Sequence, residues 1–304
     1  MADIRIMATD LEFPEGPVAV ADGAVILGEI KGRRVTRIAP DGGKIPVGSA
    51  GGGPNGLARG PDGALYLCNN GGNEYAEGGF LSTGPARDYQ CGCIQRIDSR
   101  SGETRILYSQ CNGHKLSAPN DIVFDRQGGF YFTDLGKRYA RNRDHGGLYY
   151  ALPDGSRIVE LVYPMLSPNG VGLSPDEKTV YVADTESSRL FAFDIVEPGV
   201  LRKEPFPAPY TGRLVSGLPG FQRFDSLAVE ASGNIAVATL ITGHITVIAP
   251  NGNVVRQVKM PDVYPTNICF GGRDMKTAYI TLSGSGQLAA IDWPDPGLRL
   301  NFQE

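Results

Sequence analysis

The chain has 304 residues and a formal net charge of −4, with 41% hydrophobic and 20% charged residues. Arg33-Arg34 and the stretch Arg138 to Arg143 are too short and too diluted for a nucleic-acid stripe, and no apolar run approaches a membrane span. Met1-Ala2-Asp3-Ile4-Arg5 lacks a basic segment followed by an apolar core, so a soluble, cytoplasmic protein is expected.

The segments that follow are short, β-branched or aromatic, and alternate with polar residues. In chain order they include Ala24 to Gly28, Val35 to Ile38, Gly147 to Ala151, Leu190 to Asp194 and His244 to Ile248. Turn signals such as Pro40-Asp41-Gly42, Pro153-Asp154-Gly155 and Pro250-Asn251-Gly252 separate them, a pattern of antiparallel strands joined by hairpins. No stretch keeps a helical period over three turns, so the chain reads as nearly all β. Residues 71 to 92 and 196 to 223 are longer connections, suited either to shaping a pocket mouth or to passive surface. The five cysteines are odd in number, which fits a reducing compartment, and Cys91-Gly92-Cys93 does not have the spacing of a zinc ribbon.

One phrase recurs: an Asn or Asp, a few apolar residues, a Gly-containing turn and a β-rich run. It begins at Asn55, Asn120, Asn169, Asp225 and Asn267, with a divergent copy opening at Glu15. These positions lie 40, 65, 49, 56 and 42 residues apart, the spacing of propeller blades carrying loop insertions. The expectation is an all-β, six-bladed β-propeller forming one domain over residues 1–304, with a central metal site.

The inner strand of every blade lines the central channel, so the opening residues of the phrases converge. Glu15, Asn55, Asn120, Asn169, Asp225 and Asn267 then form a ring of oxygen donors. Without histidine or cysteine, such a ring suits a hard divalent cation, Ca²⁺ before Mg²⁺ or Mn²⁺, with Zn²⁺ also compatible. A ring joined by hydrogen bonds around trapped water would satisfy the same groups.

The phrases Phe13-Pro14-Glu15-Gly16-Pro17, Pro119-Asn120-Asp121, Pro168 to Asp176 with Val180 to Thr185, and Phe224 to Val229 resemble those of the senescence-marker-protein, gluconolactonase and luciferin-regenerating-enzyme family of six-bladed propellers. That family is related to drug-responsive lactonases and paraoxonases. The resemblance implies metal ligation by Glu15, Asn169 and Asp225, and a place for Asn120 as ligand or substrate contact. Ala118 departs from the Arg that sugar lactonases of this type often carry two residues before that Asn. The implied activity is metal-dependent hydrolysis of a small lactone, a sugar-acid lactone among the candidates, with neither nucleic acid nor membrane as partner. Asp225 is the first candidate for general base and Asp121 the second, while Asn55 and His114 are candidate substrate contacts. Phosphotriester hydrolysis, a lyase-type opening, or a non-catalytic ligand-binding propeller are the alternatives. No Gly-x-Ser-x-Gly elbow supports a Ser-His-Asp hydrolase.

Overall fold

A computed structural model describes residues 3–303. Five antiparallel four-stranded sheets and one of five strands stand around a common axis as a six-bladed β-propeller, and helix is limited to one 3₁₀ turn, Pro209–Thr211, among the described residues. Their inner strands are Pro14–Ala19 (blade I), Pro54–Arg59 (II), Pro119–Phe124 (III), Pro168–Leu173 (IV), Arg223–Val229 (V) and Pro265–Gly271 (VI). Each inner strand packs on the next, and that of blade VI packs on that of blade I, so the ring is closed.

The hairpin turns form where the Gly-containing signals predict them. Gly42, Gly155 and Gly252 adopt φ of +86°, +84° and +91°, a region that L side chains avoid. The second and third strands of each blade are apolar on both faces, because neighbouring blades cover both sides. Tyr66, Ile94, Phe124, Phe130 and Phe132 form one such layer between blades II and III. Full burial of side chains of this size stabilises by roughly 1.5–3 kcal/mol each.

Blade VI joins the two ends of the chain. Its outermost strand is Ile4–Ala8, paired antiparallel with Gln287–Asp292 through Ile4 opposite Ile291 and Ala8 opposite Leu288. The C-terminal segment then crosses one end of the channel. Leu298 N–H donates to Val229 O at 2.8 Å, the Asn301 amide to Phe124 O at 3.1 Å, and the Gln303 amide to Phe270 O at 2.8 Å. Leu298 and Leu300 thereby close a small apolar cavity, about 80 Å³, against Leu57, Ile122, Val171, Leu227 and Ile268 of the inner strands.

The inner strands approach one another so closely that side chains are excluded between them. A Cβ on Gly56 would stand 2.5 Å from Asn120 O and 2.7 Å from the Asp121 Cα, both backbone atoms that cannot step aside. Gly56→Ala is therefore expected to lower unfolding stability by about 1–3 kcal/mol, an overpacking cost read as a reduced urea midpoint. An unchanged midpoint would show that the strands have room to part.

Candidate functional site

The end of the channel opposite the C-terminal segment opens into a cavity of about 450 Å³. Strand register determines what its floor contains. In blades I to IV a proline starts the inner strand opposite the end of the second strand, as Pro54 opposite Asn69, Pro119 opposite Asp134 and Pro168 opposite Asp184. The next residue points into the cavity, and in blade V Asp225 follows Phe224 in the same way, which places Glu15, Asn55, Asn120, Asn169 and Asp225 together on its floor.

The last copy is corrected by one residue. Pro265 pairs with Leu282, so Thr266, not Asn267, occupies the equivalent position in blade VI. Thr266 turns its hydroxyl to Ser283, Thr281 and the Pro14 carbonyl. Asn267 lies one layer lower, in register with Asp121 and Ser226, yet its amide donates to Glu15 Oε2 at 3.1 Å.

Acidic or amide side chains at the ends of the second strands hold the loops that lead into this floor. Asp134 accepts the N–H groups of Ser117 and Ala118, both at 2.7 Å, and Asp184 accepts that of Ser167 at 2.7 Å. Asn69 Oδ1 does the same for Gly53 at 2.8 Å. Hydrogen bonds to the charged acceptors Asp134 and Asp184 contribute roughly 1.5–3 kcal/mol each, that to the neutral Asn69 amide less, and all fix where the following residue points.

Glu15 and Asp225 are 3% and 7% exposed, and Asp225 feels the charge of Glu15. Burial pushes the Glu15 carboxyl up to about 7 against the hydrogen bonds of Asn267 and the Gly16 N–H, with Asp121 adding to the rise. Asp225 is raised well above the carboxylate range, first by burial and then by the charge of Glu15, although the Asn169 side chain and Ser226 N–H act in the opposite sense. Nearby, Asn55 Oδ1 and Asn120 Oδ1 are buried without a hydrogen-bond partner. Asn169 Oδ1 accepts only from Ser226 Oγ, at 3.1 Å.

This donor set fits a hard divalent cation. Two repelling carboxylates and unpartnered amide oxygens are costly when buried, and a doubly charged ion satisfies both at once. No group of three or more His, Cys, Asp and Glu is disposed to hold an ion among the described residues, so asparagine oxygens must complete the set.

The other expected residues are placed differently. Asp121 lines the small cavity beneath the floor, where Ile122 N–H donates to its Oδ1 at 3.0 Å and burial raises it to about 7. That position separates it from the open cavity. His114 lies exposed on the short hairpin Gln110–Cys111 and His114–Lys115, away from the lining residues, because the chain turns back before reaching Pro119.

Several lining residues escaped the repeat phrases: Tyr264, Lys137, Arg138, Arg143 and Arg223. The Pro common to five of the six inner strands could have aligned Thr266, whereas these five carry no periodic signal. Lys137 is buried, and its ammonium donates to the carbonyls of Asn70 (2.7 Å) and Gly72 (2.6 Å) beneath the Tyr89 ring. Burial lowers it to about 7. Residues 71 to 92 carry the hairpin Asn73–Tyr75 and Ser82–Pro85 over the mouth, where Leu81 and Ser82 line the cavity and Phe80 meets Tyr264 edge to face at 5.1 Å. Most of 196 to 223 stays on the outside of blade IV, but Phe221 and Arg223 reach the rim.

In metal-free protein the raised Glu15 carboxyl binds a proton that the unfolded chain has already released above its ordinary value of 4.5. Stability in chelator is thus expected to fall as pH rises from about 4.5 to 7, with the raised Asp225 acting in the same direction, because the native state holds more protons in that window. Added Ca²⁺ should restore several degrees of Tm at pH 8 and little at pH 5. A Tm that rises across this interval in chelator would contradict the arrangement.

A model of the SMP-30/gluconolactonase/LRE-like region matches residues 13–284. Lactonase drp35 of Staphylococcus saprophyticus is 32% identical over 200 residues, 66% of this chain and 54% of that protein, so the match spans about half of that relative. Gluconolactonase of Zymomonas mobilis is 25% identical over 92% of this chain and 79% of its own. Among solved structures, the calcium-binding protein regucalcin from Agrobacterium tumefaciens superposes with a TM-score of 0.75 at 17% identity, covering 98% of each chain. The chain belongs to the SMP-30/gluconolactonase/LRE-like family.

Proposed function

We propose that this chain is a divalent-cation-dependent lactonase, a single propeller domain whose cavity opens the cyclic ester of a small lactone. The observation that carries this reading is the convergence of Glu15 and Asp225 with the unpartnered oxygens of Asn55 and Asn120 on one cavity floor. Relatives named lactonase and gluconolactonase support the same chemistry.

Glu15, Asn169 and Asp225 would hold the cation, with Asn120 beside them, and Ca²⁺ is the ion best suited to this all-oxygen set. When bound, it supplies a Lewis acid toward the lactone carbonyl. Asp225 accepts the proton of the attacking water on a carboxylate oxygen, the role its place on the cavity floor favours over Asp121 below. Asn55 and Asn120 orient the lactone ring, while Leu240, Ile241 and Tyr264 keep bulk water from the reacting face. All five cysteines are free, which supports a reducing, cytoplasmic setting.

Asp225→Asn and Glu15→Gln remove charge with little change of shape. Each is expected to abolish stoichiometric Ca²⁺ in elemental analysis and to lower lactone hydrolysis, followed by pH-stat, by roughly a hundredfold or more. Wild-type rates in either variant, or in chelator-stripped protein, would overturn the proposal.

A further inference from the structure

The floor of the cavity is acidic, but its mouth is basic. Arg138, Arg143 and Arg223 all line it, together with the carboxylate of Glu186. Glu186 is shared, with Arg223 at 3.0 Å and Arg143 at 3.6 Å. Arg138 is held differently. It is exposed, and its guanidinium donates to the Ser82 carbonyl at 3.2 Å, with no carboxylate at ion-pair distance among the described residues. Lys137 next to it is inside the wall, its ammonium taken up by two backbone carbonyls.

Once a divalent cation balances Glu15 and Asp225, three guanidinium charges face the single charge of Glu186. The cavity is then positive by about two charges at its mouth, in a partly enclosed space where the field is focused rather than screened. The rest of the wall is largely apolar, with Phe13, Leu81, Phe221, Leu240 and Ile241 around the space a ligand would fill. Asn73, Thr185 and Tyr264 add polar groups between these apolar side chains. Such walls suit a compact, mostly apolar body with an anionic end.

We propose that the substrate is a lactone bearing an ionised carboxylate, with its ester carbonyl over Glu15 and Asp225 and its carboxylate against Arg138 at the mouth. This rests on the lactonase reading and deepens it by naming the substrate class. The guanidinium of Arg138 is the specificity-determining group, because its fork of N–H donors matches a carboxylate and its hydrogen bond to Ser82 holds it at the rim. Arg223 and Arg143 contribute a weaker attraction, since Glu186 already opposes them.

The test uses Ca²⁺-loaded full-length protein and a pair of lactones identical but for a free carboxylate in one and its methyl ester in the other. Wild-type kcat/KM is expected to be about tenfold higher for the carboxylate, with the preference shrinking as salt is added. Arg138→Gln should erase the preference by raising KM for the carboxylate lactone while leaving kcat near wild type. Arg138 lies on the surface, so folding is not at stake. Calorimetric binding of the ring-opened products supplies a readout that needs no turnover: the free dicarboxylate should bind more tightly than its monoester, and Arg138→Gln should remove the difference. Equal binding of the two products to wild type, or a preference that survives Arg138→Gln, overturns the proposal. Hydrolysis of neither lactone would refute the lactonase reading, and the binding comparison would still decide whether the mouth selects anions.

Discussion

Two carboxylates buried on one axis impose the condition to which the rest of this molecule conforms. Glu15 and Asp225 come from inner strands of different blades, and the charge of Glu15 raises the proton affinity of Asp225 in addition to what burial does. Isolated buried anions are costly, and two of them together are more so. Their hydrogen bonds, from Asn267 and the Gly16 N–H to Glu15 and from Asn169 and the Ser226 N–H to Asp225, relieve only part of this cost. A doubly charged ion would relieve the remainder, which is the physical argument for reading the polar floor as a candidate cation site.

That floor exists because the scaffold overdetermines it. The inner strands are drawn together until only hydrogen fits between Gly56 and the backbone of blade III. The loops feeding them are fastened by Asn69, Asp134 and Asp184 from the second strands. The same arrangement delivers one side chain per blade to the cavity and sends its neighbour to the layer beneath. Asp121 shows the consequence: adjacent in sequence to Asn120, it faces the sealed apolar end of the channel rather than the open one. The C-terminal segment closes that end, so exchange with solvent is directed to the mouth.

Much of the architecture was legible beforehand, for a physical reason. A blade must alternate turn and strand, and its inner strand must start at a constrained position, so the phrase repeats and its Gly-rich turns fall where φ is positive. Glu15, Asn55, Asn120, Asn169 and Asp225 follow directly from the repeat. Blade VI departed by one residue because its phrase contains both Thr266 and Asn267, and only pairing with Thr281 and Leu282 decides which of them reaches the floor. His114 had a suggestive distance from Asn120 in sequence, but a two-residue hairpin turns it outward.

The sequence by itself determined the number of blades, the oxygen-only character of the converging residues and the family to which the chain belongs, because these depend on local turn chemistry and on a period. Tertiary structure alone decided the remaining properties: which side chain of each pair faces the cavity, how far burial displaces the carboxyl groups, and which arginines gather at the mouth. Those depend on distances between segments remote in the chain. Arg143, Glu186 and Arg223 meet only because blades III, IV and V are curved around one axis, and no periodicity in the chain encodes that encounter.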